Sequence, residues 1–285
     1  MELALQTAAQ GAVVSVFYAL MAIGFTLIFG IMGVLNLAHG ELYMLGAYVV
    51  WLGFAEGSLP FPVAVALGAA IVAGIGISME RAFFRPMQHR PLMGLILSVS
   101  MIFILQVIVA TTWHVGLMKQ IPPMIKGSLE ILGASAPWQR LLVLPVAGTL
   151  LGGLWYFLRR VKQGQALRAT AQDPEVASLQ GINVDRIRIL SMVIGAALAG
   201  TAGGLMAPIL RVDPYMGHAA LIQALVITIV GGLGSIEGAL IASFIFGFMN
   251  AFVTVYADGT IAMIIAVLLM FVILGIRPRG LMGRA

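Results

Sequence analysis

Cysteine is absent from this chain of 285 residues, and charged side chains are scarce. Without cysteine, disulfides, thiolate nucleophiles and Cys-based metal sites are excluded. Only 9% of the residues are charged, whereas a soluble domain carries about 25%, so the polar surface is too small to cover a globule in water. The histidines show no spacing suited to a shared metal ion, and neither a metal nor a cofactor is predicted. They are His39, His89, His114 and His218.

Long apolar runs fill most of the sequence, in which 61% of the residues are hydrophobic. A helix needs roughly 20 apolar residues to cross a bilayer, and nine stretches approach or reach that length. They cover residues 9–30, 33–54, 61–80, 92–112, 141–158, 187–210, 219–233, 237–256 and 260–276. The sequence therefore predicts an all-α, polytopic transmembrane bundle with about eight or nine membrane segments and interrupted helices, in a single domain over 1–285.

Basic residues gather in three regions between or after these runs, which hold 12 of the 16 Lys and Arg residues. Short basic loops are cytoplasmic by the positive-inside rule. With nine crossings, the N-terminus is predicted outside and the C-terminus in the cytoplasm. Because these orienting charges account for the net charge of +5, no nucleic-acid partner is predicted. The residues are Arg81, Arg85, Arg90, Arg159, Arg160, Lys162, Arg168, Arg186, Arg188, Arg277, Arg279 and Arg284.

The cytoplasmic loop at 159–186 contains the signals of a short helix. Asp173 is suited to cap it, Pro174 to its first turn, and Glu175 adds favourable charge at its N-terminus. Gly181 is a natural C-terminal stop. Two interpretations are open: a solvated connector, or a docking helix that fits a cleft on a cytoplasmic partner.

The connection at 113–140 is predicted to be an extracytoplasmic loop. It contains Trp113 and Trp138, and tryptophan at the water boundary usually anchors a helix end. The alternative is that this loop contacts a protein that delivers substrate.

Two glycine-containing breaks, each with a carboxylate, separate neighbouring apolar runs. One is GVLNLAHGE, which ends at Glu41, and the other is GGLGSIEG, which contains Glu237. Non-helical backbone at membrane depth survives only when it is buried in protein or lines a watery cavity, and paired breaks of this kind point to a substrate path. Alternatively, both are tight cytoplasmic turns in which the carboxylates cap the following helices. The pathway candidates are Asn36, His39, Gly40, Glu41, Gly232, Gly234 and Ser235.

The stretch EVASLQG, residues 175–181, resembles the E-A-A-x-x-x-G coupling loop of ABC importer permeases, with Val176 in place of the middle alanine. The wider stretch GQALRATAQDPEVASLQGINVDRIRILSMVIGAALAGTAGGL resembles the branched-chain amino-acid permease family of the LivH type. Further matches follow in the order of that family. They are YALMAIGFTLIFGIMGVLNLAHGELYMLGAY (18–48), ERAFFRPM (80–87) and VGGLGSIEGALIASFIFG (230–247).

This resemblance implies a permease in a bacterial inner membrane that imports branched-chain or other small apolar amino acids. Its implied partners are a second related permease, two ATPase subunits and an extracytoplasmic substrate-binding protein. It carries over Asn36, His39, Gly40 and Glu41 as matching positions. The residues implied in coupling to the ATPase are Asp173, Pro174, Glu175, Ala177, Leu179 and Gly181.

The chain has no G-x-x-x-x-G-K-[ST] phosphate loop, so it is not predicted to hydrolyse ATP or to be an enzyme. One alternative is a permease of the same family for urea or short amides. Another is a stand-alone carrier or channel, against which the loop at 173–181 argues. An intramembrane enzyme is disfavoured because the apolar runs lack a Ser/His/Asp, H-E-x-x-H or paired-Asp arrangement.

Overall fold

The computed structural model describes residues 2–88, 90–113, 120–125, 127–131 and 134–283. His89, His114 and Arg284 lie outside the described residues. The predicted all-α class is confirmed, with these helices: α1 Glu2–Met32, α2 His39–Val50, α3 Phe61–Met79, α4 Pro91–Trp113, α5 Trp138–Arg160, α6 Lys162–Gln172, α7 Pro174–Leu179, α8 Val184–Met206, α9 Met216–Gly231, α10 Ile236–Tyr256 and α11 Gly259–Ile276. α2 continues as a π-helical turn over Trp51–Glu56, and α3 continues through Glu80–Phe84 and Arg85–Met87.

Seven helices in the described part of the chain are long and apolar enough to cross a membrane: α1, α3, α4, α5, α8, α10 and α11. This is fewer than the predicted eight or nine segments. The runs 33–54 and 219–233 differ because their helices, α2 with 12 residues and α9 with 16, begin inside the bundle. The chain is thus a multi-pass membrane protein with two shorter internal helices.

Helix starts follow the polar residues at the loop ends. Asn183 caps α8 by accepting the N–H of Arg186, and Ser235 caps α10 by accepting the N–H of Gly238. Asp258 caps α11, and the Thr260 N–H that it accepts lowers the pKa of this exposed carboxyl. Each cap satisfies a donor that would otherwise have no partner in the first helical turn.

The bundle consists of two sets of four helices, α1–α4 and α8–α11, joined by α5, α6 and α7. α1 is the most buried of the seven long helices. The contact between α1 and α10 has a counterpart in the contact between α8 and α3. In the same way, the contact between α2 and α8 has a counterpart in the contact between α9 and α1. Gly24 and Gly195 lie where α1 crosses α8, and a side chain on either would strike the carbonyl oxygen of the other. Small residues therefore set the close approach at the centre.

The break between α1 and α2 returns the chain to membrane depth. After Gly33, with φ of +65°, non-helical residues lead back along α1 to His39. The His39 Nε2 atom lies 3.2 Å from the carbonyl oxygen of Met21, near the middle of the 31-residue α1. This contact favours a segment that re-enters the bundle over the alternative of a tight turn at its end.

Both connecting loops are more ordered than the sequence predicts. The loop at 113–140 contains an antiparallel hairpin, in which β1 (Ser128–Ile131) pairs with β2 (Ala134–Pro137). The loop at 159–186 contains the predicted helix as α7 and an additional helix, α6. The connector is therefore largely helical.

Candidate functional site

The helix predicted to act in coupling, α7, has a defined cap at each end. The Asp173 Oδ1 atom accepts the N–H groups of Glu175 at 2.9 Å and of Val176 at 3.0 Å. At the other end Gly181 has a φ of +82°, and the N–H of Ile182 reaches back to the Ala177 carbonyl at 3.2 Å. These are the cap and the left-handed stop expected for such a sequence.

The surface of α7 is apolar where solvent should favour polar groups. Leu179 is 86% exposed and Val176 is 49% exposed, whereas Ala177 faces inward at 3%. Pro174 and Glu175 are also exposed. Isolated apolar residues are common on protein surfaces, but this pair sits on a six-residue helix rigidly capped at both ends. α7 is thus a short helix with fixed ends that exposes two apolar side chains.

Two contacts fasten this loop to the membrane helices. α6 packs against α1, α5 and α8, with Leu167 and Thr170 buried. After α7, Asp185 at the start of α8 pairs with Arg85, and Arg188 donates to Gln88. α7 is therefore linked by contacts through α6 to α1, and through α8 to the end of the α3 segment.

A cavity of about 770 Å³ lies between α1, α5, α6 and the start of α10. Its deeper wall is apolar, with Ile23, Leu151 and Leu154, whereas its other lining includes Arg168 and Gln172 of α6. Arg159 pairs with Glu237 at 2.9 Å and stacks over the Trp155 ring at 4.7 Å. The cavity extends from α6, in the loop at 159–186, to Ile23 of α1. The predicted pathway residues Gly234 and Ser235 line it.

The segment around Gly232 is a tight turn between α9 and α10. Gly232 and Gly234 have φ of +104° and +84°, a backbone conformation that favours glycine. The predicted cap of α10 by Glu237 is wrong, because the Ser235 hydroxyl accepts the Gly238 N–H at 3.1 Å and Glu237 reaches Arg159 instead. Local geometry therefore agrees with the turn alternative, while two of its residues still line the cavity.

The residues of the first break have distinct contacts. Asn36 closes the turn by accepting the Ala38 N–H at 3.1 Å. His39 is fully buried, meets Phe25 edge-on and reaches the α1 carbonyl described above. Gly40 lies against the carbonyl of Gly217. These contacts hold the break against α1 and the start of α9.

Glu41 does not cap α2, contrary to the alternative drawn from the sequence. The N-cap residue of α2 is Ala38, and no side chain caps the helix. The Glu41 Oε1 atom instead accepts a hydrogen bond from Gln106 Nε2 at 2.9 Å, and that nitrogen lies 3.3 Å from His218 Nε2. Among the described residues no group of three or more His, Asp or Glu side chains is placed to hold a metal.

Sequence reasoning did not select Gln106 or His218. The available signal was that Gln106 is a lone amide in the apolar run of α4, since polar groups within membrane helices are functional candidates. Nothing local connected it to Glu41. The structure brings the two together with His218 from α9.

The family model described as "Branched-chain amino acid transport system / permease component" matches residues 7–274. The chain is 35% identical to the high-affinity branched-chain amino acid transport system permease protein LivH of Salmonella typhimurium, over 98% of this chain and 96% of that protein. It is 30% identical to a probable LivH of Methanocaldococcus jannaschii, over 96% and 91% of the two chains.

Among solved structures, PsaBC from Streptococcus pneumoniae in complex with Fab shares the fold. The TM-score is 0.53 at 16% identity, and the match covers 95% of this chain and 91% of that one. The near-complete matches to family and relatives agree with the stretches from which the resemblance was drawn. The chain therefore belongs to the family of permease components of branched-chain amino acid transport systems.

Proposed function

We propose that this chain is the membrane-spanning subunit of an ATP-driven importer for branched-chain or other small apolar amino acids, in the bacterial inner membrane. The observation that carries the proposal is α7, a capped cytoplasmic helix with Leu179 almost fully exposed. A helix of this kind fits a groove on another protein. The residues proposed to couple are Asp173, Pro174, Glu175, Ala177, Leu179 and Gly181.

The proposed partners follow from the missing phosphate loop and from the exposed helix α7. Because it has no phosphate loop, two ATPase subunits supply the energy and receive α7. A second permease, a related chain or another copy, completes the membrane part, and an extracytoplasmic binding protein delivers the substrate to the side of the hairpin. The basic loops and tail face the cytoplasm in this arrangement.

The proposed mechanism runs through the packing of the cytoplasmic loop. Closure of the ATPase subunits pushes α7, and α6 transmits this push to α1 and α5. The two ends of the cavity then move relative to each other, so that the bundle alternates between outward- and inward-open states. Gly234 and Ser235 lie on the cytoplasmic part of the proposed substrate route. The break from Asn36 to Glu41 lies deeper along this route, within the membrane. Gly232 shapes the turn between α9 and α10.

Reconstitution tests the proposal directly. Proteoliposomes with the permease pair, the ATPase subunits and the binding protein should accumulate leucine only when ATP is present. Liposomes that hold this chain alone should not. Leucine uptake by the chain alone without nucleotide would favour a stand-alone carrier or channel, and ATP-driven uptake of urea or short amides instead of leucine would identify the other family substrate class.

A further inference from the structure

The buried carboxylate of Glu41 has one oxygen without a partner. Glu41 is 1% exposed; its Oε1 atom accepts the Gln106 amide at 2.9 Å, whereas its Oε2 atom is buried without a hydrogen bond. A buried charged group costs free energy unless it is paired and hydrogen-bonded. The position therefore has the chemistry to receive a cationic or hydrogen-donating group.

This carboxylate is connected to the outer surface of the subunit at membrane depth. Gln106 links it to His218, which is exposed and stacks on the exposed ring of Tyr215. The depth follows from Gly217, whose backbone meets Gly40 next to His39 and the middle of α1. Ionisable groups within membrane segments face the bundle interior or a watery cavity. Glu41 is thus separated from the exposed surface of α4 and α9 only by the side chains of Gln106 and His218.

Gln106 is carried by a helix that has few buried residues. Only six of the 23 residues of α4 are buried: Gly94, Ser98, Met101, Ile102, Gln106 and Val109. Displacement of α4 would remove Gln106 from Glu41 and open both carboxylate oxygens to the path. The starts of α2 and α9 meet beside the carboxylate, and the positive ends of the two helix dipoles favour an anionic group nearby.

We propose that Glu41 binds the ammonium group of the transported amino acid, with Gln106 and His218 as the polar wall that positions it. This assignment rests on the proposed function and names its recognition chemistry inside the membrane. The substrate's ammonium replaces Gln106 on the carboxylate, and the substrate's apolar side chain lies along the exposed apolar face of α4, near Phe103. An apolar acid that lacks the ammonium has no partner there.

The absence of native cysteine permits a direct test in the assembled permease–ATPase complex without the binding protein. Phe103, one turn before Gln106 and 63% exposed, is replaced in a Phe103→Cys variant and its reaction with a thiol reagent is timed. Three probes are compared: leucine, 3-methylbutylamine and 4-methylpentanoate. Leucine and 3-methylbutylamine should slow the labelling of the cysteine at least about fivefold at saturation, and 4-methylpentanoate should not. Adding Glu41→Gln should weaken this protection about tenfold or more.

A matched control is Thr228→Val in the same labelled background, since Thr228 is a buried polar residue of α9 that bonds to Thr26 at 3.2 Å. It should keep full protection. Equal protection of Glu41→Gln and the parent by leucine overturns the assignment, as does protection by 4-methylpentanoate but not by the amine. The comparison of 4-methylpentanoate with the amine needs no Glu41 variant, so it tests the assignment even where Glu41→Gln fails to assemble. Leucine uptake without protection refutes this assignment alone, whereas absence of any amino-acid uptake refutes the proposed function.

Discussion

Gly40 and Gly217 face each other so closely that a Cβ atom on either would strike the carbonyl oxygen of the other. They open α2 and α9, the two helices that begin inside the bundle. Their backbone contact keeps the two helix starts together and leaves Glu41 and His218 on adjacent positions around Gln106. The absence of side chains at these two glycines is therefore a condition of the polar cluster.

Substitution of Gly40 by valine should destabilise the assembled chain. Overpacking a well-packed core costs about 1–3 kcal/mol, and here the obstacle is backbone, which has little freedom to move aside. The measurement is the thermal transition of the detergent-solubilised protein, followed by size-exclusion chromatography with fluorescence detection. Gly148→Val on α5, where an added Cβ meets nothing within 4 Å, is the control. Equal transitions for both variants would contradict the close approach.

Glu175→Lys and Gly181→Pro should uncouple ATP hydrolysis from leucine uptake while leaving the permease inserted. Lysine puts positive charge at the N-terminus of α7, where a carboxylate is favoured. Proline cannot adopt the φ of +82° at Gly181 and removes the N–H that Ser178 accepts at 3.0 Å. The ratio of leucine imported to ATP hydrolysed, in proteoliposomes of the full complex, is the quantity to measure. Ser178→Ala keeps both features and should keep the ratio; unchanged uptake in both test variants would end the coupling role.

The position of α7 was predictable because its signals are local. Asp173 and Gly181 lie eight positions apart and determine where α7 begins and ends, so the neighbouring residues suffice to define it. α6 escaped prediction because its helix has mixed polar residues and depends on Leu167 and Thr170 packing beneath it. The family resemblance placed the loop, but packing determined how it is fastened.

The polar cluster was not predictable because its members are far apart in the sequence. Glu41 and Gln106 are 65 positions apart, and Gln106 and His218 are 112 apart. A glycine-rich break such as GVLNLAHGE has the same composition whether it turns at the surface or re-enters the bundle. The difference is made by tertiary contacts of His39 with α1, which no local pattern encodes.

Replacing the outer hairpin, residues 128–137, by a short Gly-Ser turn should reduce the stimulation of ATP hydrolysis by the liganded binding protein. The hairpin is a two-stranded antiparallel pair on the side where delivery is proposed, β2 packs on α1 and α5, and Trp138 follows it at the start of α5. Basal hydrolysis and assembly with the ATPase subunits should be unchanged, since α7 lies at the opposite end. Full stimulation of ATP hydrolysis after this replacement would mean that the hairpin does not contact the binding protein. The alternative, that the loop anchors the helix end, would then be favoured.

Leu179→Asp should weaken binding of the ATPase subunits without destabilising the chain. The side chain is 86% exposed, so the isolated subunit loses almost no packing, whereas a buried apolar anchor in an interface contributes about 2 kcal/mol or more. The measurement is the ATPase concentration at half-saturation of the permease in nanodiscs. Gln180→Asp introduces the same charge at the adjacent exposed position and should have a smaller effect. Equal weakening by both variants would mean that negative charge alone disturbs the contact, and unaltered binding of Leu179→Asp would remove α7 from the ATPase interface altogether.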